Sequence, residues 1–269
     1  MYAGTTFRVK SGRVMGVHQR VDRLARKKVK HLDFDTVHFP KIANILHFEG
    51  KNGPDGIKSK SPSVDEPWHF VDPEGSITQQ LYVDIKNHIH NLTTALACNE
   101  GERAAFEAAW LSHAIVDGLT PPHQYPLSEK IEELWGKPKE DRTTVLDKSF
   151  IKGANSRDTL SRNWKYWGAG GVWTAHYLFE WGFAAAVSSS RFNDVMIDES
   201  LRNQVDLTGF IATYKIIVEE VYSLNMYEEY YKQGWSRHLA NLSREKLMPL
   251  LINAVALAWY AADQGAKKV

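Results

Sequence analysis

Residues 110–123, reading WLSHAIVDGLTPPH, constrain the fold more than any other stretch of this chain. They close a predicted helix over residues 102–117 whose apolar stripe runs Phe106 and Trp110, then His113 and Asp117 at the same spacing. Residues four apart share a helix face, so an imidazole and a carboxylate point where the core should lie. A carboxylate buried without a partner is costly, so the fold has to bring partners to that face. Gly118 and the pair Pro121-Pro122 end the helix. His113 and Asp117 can grip one ion, and the turn can fold His123 back over the helix end toward a second nearby.

A similar pair recurs further on. A predicted helix over residues 172–187 carries His176 and Glu180, again four apart, in line with Trp173 and Ala184. Helical spacing also marks residues 14–29, 37–48, 76–98, 207–231 and 247–262, the last tolerating Pro249 in its first turn. His18 sits on the apolar stripe of the first of these, whose other side carries Arg13, Arg20, Arg23, Arg26, Lys27 and Lys28 and reads as a solvated face. His88 and His90, two apart, cannot share a helix face and read as structural. Strand-like alternation and fixed-period repeats are absent, so the expected fold is all-α, a single multi-helix domain over residues 1–269. Two segments stand out within it. Residues 51–67 form a long loop rich in Gly, Pro, Ser and Lys that carries Asp55 and leads to His69. Residues 124–167 are polar and charged and read as an insertion or lid.

The net charge of +1 points to no particular partner, and the single cysteine, Cys98, rules out an internal disulfide or a cysteine-rich zinc site. Any metal must use imidazole and carboxylate, for which eleven His are available. No apolar run is long enough to span a membrane. The first residues lack the apolar region of a secretory signal, so a cytoplasmic protein is expected as read, or a secreted one had a signal been removed.

Zinc favours four-coordinate His and carboxylate sites, with one position left for water in catalytic ones. The candidates fall into sets: His69, His113 and Asp117 with Asp55 nearby; His123, His176 and Glu180; and His18 sharing Asp117. Ions about 3.5–4 Å apart can clamp the attacking and leaving oxygens of a phosphoryl transfer.

In this order, His18, Asp55, His69, His113, Asp117, His123, His176 and Glu180 resemble the trinuclear zinc phosphoesterases, the bacterial zinc-dependent phospholipases C and fungal single-strand-specific nucleases. The resemblance rests on H-x-x-V at His18, G-P-D at Asp55 fourteen residues before the H-F-V-D of His69, H-x-x-x-D-x-x-x-x-x-H from His113 to His123, and H-x-x-x-E at His176. It implies a phospholipase C/nuclease-like helical domain with zinc ions on a cleft floor, Asp117 bridging two of them, and a metal-bridging hydroxide attacking phosphorus. Asp55 would orient that water or act as general base, and Phe70 and Asp72 would contact substrate. The family completes its third ion with an N-terminal Trp; this chain presents Met1-Tyr2, so Met1 itself would have to serve and the expected count is two or three Zn2+. About fifty residues separate His123 from His176, more than the family usually has there.

The leading expectation is therefore a zinc-dependent phosphodiesterase of phospholipase C type, acting on a phosphate ester with no stable macromolecular partner. A single-strand nuclease or 3′-nucleotidase on the same metals is the alternative within enzymes. A non-catalytic, metal-stabilised binding protein is the alternative outside them. Lipid hydrolysis would also call for exposed apolar surface near the cleft, for which Trp135, Trp164 and Trp167 are candidates.

Overall fold

The helix bearing His113 and Asp117 runs through the middle of the molecule, and the long amphipathic helices close around it. The structure is a computed structural model describing Met1 and residues 16–58, 70–76, 79–125, 127–138, 141, 144–168 and 170–268. Among these residues every regular element is helical. The N-terminal half supplies α1 (Val17–Lys28), α2 (Ile42–His47), α3 (Pro54–Lys58), α4 (Gln80–Ala97) and α5 (Gly101–Gly118). Next come α6 (Leu127–Trp135), α7 (Val145–Ser149), α8 (Ser156–Trp167) and α9 (Val172–Ser188). The chain ends with α10 (Glu199–Thr208), α11 (Phe210–Ser223), α12 (Met226–Gln233), α13 (Arg237–Leu242) and α14 (Met248–Ala266).

Small residues let the central helices approach closely. Ala104, Ala105, Ala108 and Ala109 of α5 are buried, and α5 packs on α4, α14 and α1. Trp259 of α14 fills the remaining space and its indole N–H donates to the Ala108 carbonyl at 3.0 Å. Burying apolar side chains around α5 is the main driving force for this arrangement; Glu107 is paired with His88 and Arg103, and the remaining buried polar groups lie toward the His113–Asp117 end. A smaller apolar cluster of Ile131, Trp135, Ile151, Tyr166 and Val172 gathers α6, α8 and the start of α9. The segment expected as an insertion thus has a small core of its own, and Trp173 and Phe70 pack against it.

Several expectations are corrected. The helix foreseen over 37–48 begins at Ile42, because Pro40 cannot continue a helix and Asp35 instead caps the turn before it, accepting from the Val37 and His38 amides. The segment 207–231 is broken into three helices, at Gly209 (φ +84°) and at Asn225 (φ +50°). A residue in the left-handed region ends a helix, and glycine adopts it without steric cost. The basic side of α1 is only in part a solvated face: Lys27 is exposed and Arg13 lies outside the described residues, but three of its cations are engaged. Arg20 donates to the Ser188 and Ser190 carbonyls, Lys28 to Asn193 and Arg26 to Thr36 and Pro40, so these cations satisfy loop carbonyls. Trp135 is buried in the smaller cluster, whereas Trp164 and Trp167 are exposed. His88 is structural as foreseen, with Nδ1 2.6 Å from the buried Glu107. No helix among the described residues is long and apolar enough to cross a membrane.

Candidate metal centre

The polar end of α5 is assembled by the turn that follows it. The Asp117 carbonyl accepts from the Thr120 amide at 2.9 Å and lies 2.9 Å from His123 Nδ1. Pro121 and Pro122 open the short 3-10 turn Pro121–Gln124, and Gln124 ties back to the Gly118 carbonyl at 3.0 Å. Gly118 is required by packing: a Cβ there would collide with the Tyr214 hydroxyl, which donates to the Ile115 carbonyl at 3.0 Å. The proton on His123 Nδ1 is therefore directed to a carbonyl, leaving the Nε2 lone pair facing inward.

Six predicted ligands come together in two groups, His18 with His113 and Asp117, and His123 with His176 and Glu180, all buried. In the first, the His18 and His113 rings stack at 4.0 Å and 8°. Their Nε2 atoms face different oxygens of one carboxylate: His18 is 3.2 Å from Asp117 Oδ1 and His113 is 3.3 Å from Oδ2. In the second, His176 Nε2 lies 3.1 Å from Glu180 Oε1, with His123 Nε2 3.5 Å from the same oxygen and 3.2 Å from His176 Nε2.

The same separations suit an ion pair or ligands sharing a metal. Charge-assisted hydrogen bonds between nitrogen and carboxylate run about 2.7–2.9 Å, and elsewhere in this molecule His38–Asp35 and His88–Glu107 pair directly at 2.6 Å. The edges of a tetrahedron of His and carboxylate ligands around zinc are about 3.3 Å long, from metal–ligand distances of about 2.0–2.2 Å. The distances within both groups cluster around that edge. The two imidazole nitrogens facing each other at 3.2 Å can share a proton or an ion.

Met1 lies in the same place. Its amine is 2.7 Å from Asp117 Oδ1 and 3.2 Å from Glu180 Oε1, and its carbonyl oxygen is 2.9 Å from His18 Nε2. Burial opposes the charge of every group here, yet the mutual pairing wins at most of them. Against burial, the Met1 amine and nearby histidines hold Asp117 and Glu180 well below the usual carboxylate range. Asp117 and Glu180 in turn push the buried amine up to about 10. Burial and the amine lower His123 to about 4, so it is neutral and ready to ligate. Despite burial, Glu49 and Asp117 raise His113 well above an ordinary imidazole. An ion at His113 would displace that proton.

Of the remaining candidates, Asp55 stands at the open side, its side chain 30% exposed and its Oδ1 3.7 Å from His113 Nε2. Phe70 packs 5.3 Å from the His123 ring. Asp72 is exposed and its Oδ1 accepts from the Glu74 amide at 3.0 Å, a local turn contact. His69 lies outside the described residues.

A layer behind the imidazoles was not foreseen. Glu49, fully buried, places Oε1 2.9 Å from His113 Nδ1, which orients the ring so that Nε2 faces Asp117. Asp22 lies behind it, accepting from the Ser112 hydroxyl, and burial together with Glu49 raises its carboxyl well above the usual range. Asp22 follows His18 by four residues, the spacing of His113 and Asp117, so that signal was present; Glu49 has no comparable mark. A cavity of about 700 Å³ bounded by Phe192, Met196, Leu201, Arg244 and Asn253 touches none of these groups. Comparison with family models, with curated proteins and with solved structures found no match.

Proposed function

We propose that this protein is a zinc-dependent hydrolase of phosphate esters, a phosphodiesterase of the phospholipase C kind. The single observation that supports it most is the convergence of six buried His and carboxylate side chains into two groups, each able to hold an ion. His123, His176 and Glu180 would hold one ion; His113 and Asp117, with Asp55 beside them, a second. His18 and Asp117, with the Met1 carbonyl and, once an ion displaces its proton, the Met1 amine, would hold a third. Asp117 suits a shared ligand because each of its oxygens faces a different imidazole. Bound zinc would supply an acidified water and positive charge for phosphate oxygens. Around it, Glu49 holds the Nδ1 proton of His113, so the Nε2 proton is the one an ion would displace, and the Asp117 carbonyl directs the His123 proton away from Nε2. Asp55, at the exposed side, is the carboxylate available to orient a water molecule or accept its proton.

The test is metal analysis joined to hydrolysis of bis-p-nitrophenyl phosphate. At least two equivalents of zinc are expected. Chelation should abolish turnover and zinc restore it. Asp117→Asn should lose zinc and cut the rate to about a thousandth or less, since such ions contribute several kcal/mol of transition-state stabilisation. Fewer than two equivalents in the parent, or full turnover in Asp117→Asn, would overturn the reading. Phosphatidylcholine, single-stranded DNA and 3′-nucleotides compared side by side then separate lipase from nuclease.

A further inference from the structure

The helix α8 is folded with its apolar side outward. Residues 157, 160, 161, 164 and 165 lie on one helix face, and all five, Arg157, Leu160, Ser161, Trp164 and Lys165, are exposed. Leu160 is 71% and Trp164 69% exposed. The inner side buries Tyr166 in the smaller apolar cluster and is otherwise held by polar contacts. Arg162 pairs with Asp158 and donates to the Leu134 carbonyl at 2.8 Å, and the Asn163 amide exchanges hydrogen bonds with Ile151 at 3.1 and 2.7 Å. An ordinary surface helix would turn Leu160 and Trp164 toward the core, so their common outward face calls for an apolar partner.

The face is continuous with the candidate metal centre. Trp167, at the end of α8, is fixed by its indole N–H donating to the Ser149 carbonyl at 2.8 Å, next to the exposed Phe150. Its ring stacks on Trp173 at 6.4 Å and 16°, and Trp173 lies 5.6 Å from His176. Exposed Tyr177 extends the same aromatic row, 5.8 Å from Trp173. Charge identifies the partner. Residues 145–168 carry five Lys and Arg against two Asp. Asp147 is engaged in capping α7 and Asp158 in pairing with Arg162. Lys152, Arg157 and Lys165 are exposed around the apolar side chains. Trp and Leu flanked by Lys and Arg, on a helix lying along the surface, is the pattern that enters the headgroup boundary of a bilayer.

We propose that the outward face of α8 docks this protein on the surface of an anionic phospholipid bilayer, presenting headgroups to the metal centre along the Trp167–Trp173 row. The proposal rests on the phosphoesterase reading for its purpose, while docking itself needs no catalysis. Cosedimentation of the full chain, zinc-loaded and in chelator, with vesicles of phosphatidylcholine with and without phosphatidylglycerol tests it. The parent should bind the phosphatidylglycerol vesicles in both metal states, with a blue shift of Trp emission. A Leu160→Ser/Trp164→Ser variant should bind about tenfold more weakly or worse, while its hydrolysis of bis-p-nitrophenyl phosphate matches the parent. A parent that stays in the supernatant, or a variant that sediments equally, would overturn the proposal. So would loss of single-stranded DNA binding or of a dimer in the variant with vesicle binding intact. Absence of hydrolysis in both proteins would defeat the phosphoesterase reading alone, because sedimentation is scored separately.

Discussion

The His113–Asp117 pair of α5 and the His176–Glu180 pair of α9 have the same spacing and opposite surroundings. Behind His113 Nδ1 stands the buried carboxylate of Glu49 at 2.9 Å, with Asp22 and Ser112 behind that. Behind His176, Nδ1 has no hydrogen-bond partner among the described residues, and the ring leans on Trp173. The α5 imidazole is fixed in tautomer and direction by a polar relay. The α9 imidazole has polar contacts only through Nε2, to Glu180 and His123, and its other side is held by packing beside the aromatic row that reaches the surface. One side of the centre is built as an anchor and the other as a wall that a ligand meets.

The largest test of this contrast is the stability of the metal-free protein. His113→Ala would leave Glu49 buried beside Asp22 without its hydrogen-bonded imidazole, and stranding one partner of a buried pair costs about 3–5 kcal/mol. His176→Ala strands less, because Glu180 keeps the Met1 amine at 3.2 Å and His123 at 3.5 Å; about 1 kcal/mol, the centre of the usual range, is expected. Urea unfolding in chelator measures both. Equal losses, or a greater loss in His176→Ala, would break the comparison.

How much of this could be read in the chain depends on periodicity. His18, His113, Asp117, His176 and Glu180 were legible because each continues an apolar stripe at helical spacing, where a titratable side chain is anomalous. The long helices α4, α5, α9 and α14 were legible for the same reason. Glu49 was not: it sits between α2 and a 3-10 turn, 64 residues from the histidine it orients, and only the fold brings the two together. Nor was the outward orientation of α8, because Leu160 and Trp164 follow the same period whichever way the helix faces. Periodicity gives the face of a helix; what lies opposite that face is decided by the other helices.

Glu49→Gln probes the anchor more finely. The amide oxygen can still accept from His113 Nδ1, so the fold should hold, while the charge that favours a ligating imidazole is gone. Removing such a partner typically costs about 10–100-fold in metal affinity, and that loss is expected at the His113 group with the His123–His176–Glu180 group unchanged. Competition titration with a zinc indicator would resolve the two as separate phases. Metal-free stability should stay level or rise, since Asp22 loses a like charge that holds its carboxyl high. Equal weakening of both phases would mean that the two pairs share one shell.

On the wall side the smallest effect is expected, at Phe70. Its ring lies 5.3 Å from His123 at 53° and packs against the smaller apolar cluster, so it borders the second group without ligating it. Phe70→Ala should leave zinc content and kcat nearly unchanged and raise KM. An aromatic contact contributes about 0.5–1.5 kcal/mol beyond its buried area, or roughly 2–12-fold in binding. The substrate that suffers is informative. A larger rise for 3′-nucleotides than for phosphatidylcholine means that the ring stacks on a base; a larger rise for the lipid means that it packs against acyl or glycerol carbons. A fall in zinc content would instead make Phe70 part of what positions His123, and the wall would then be an anchor as well.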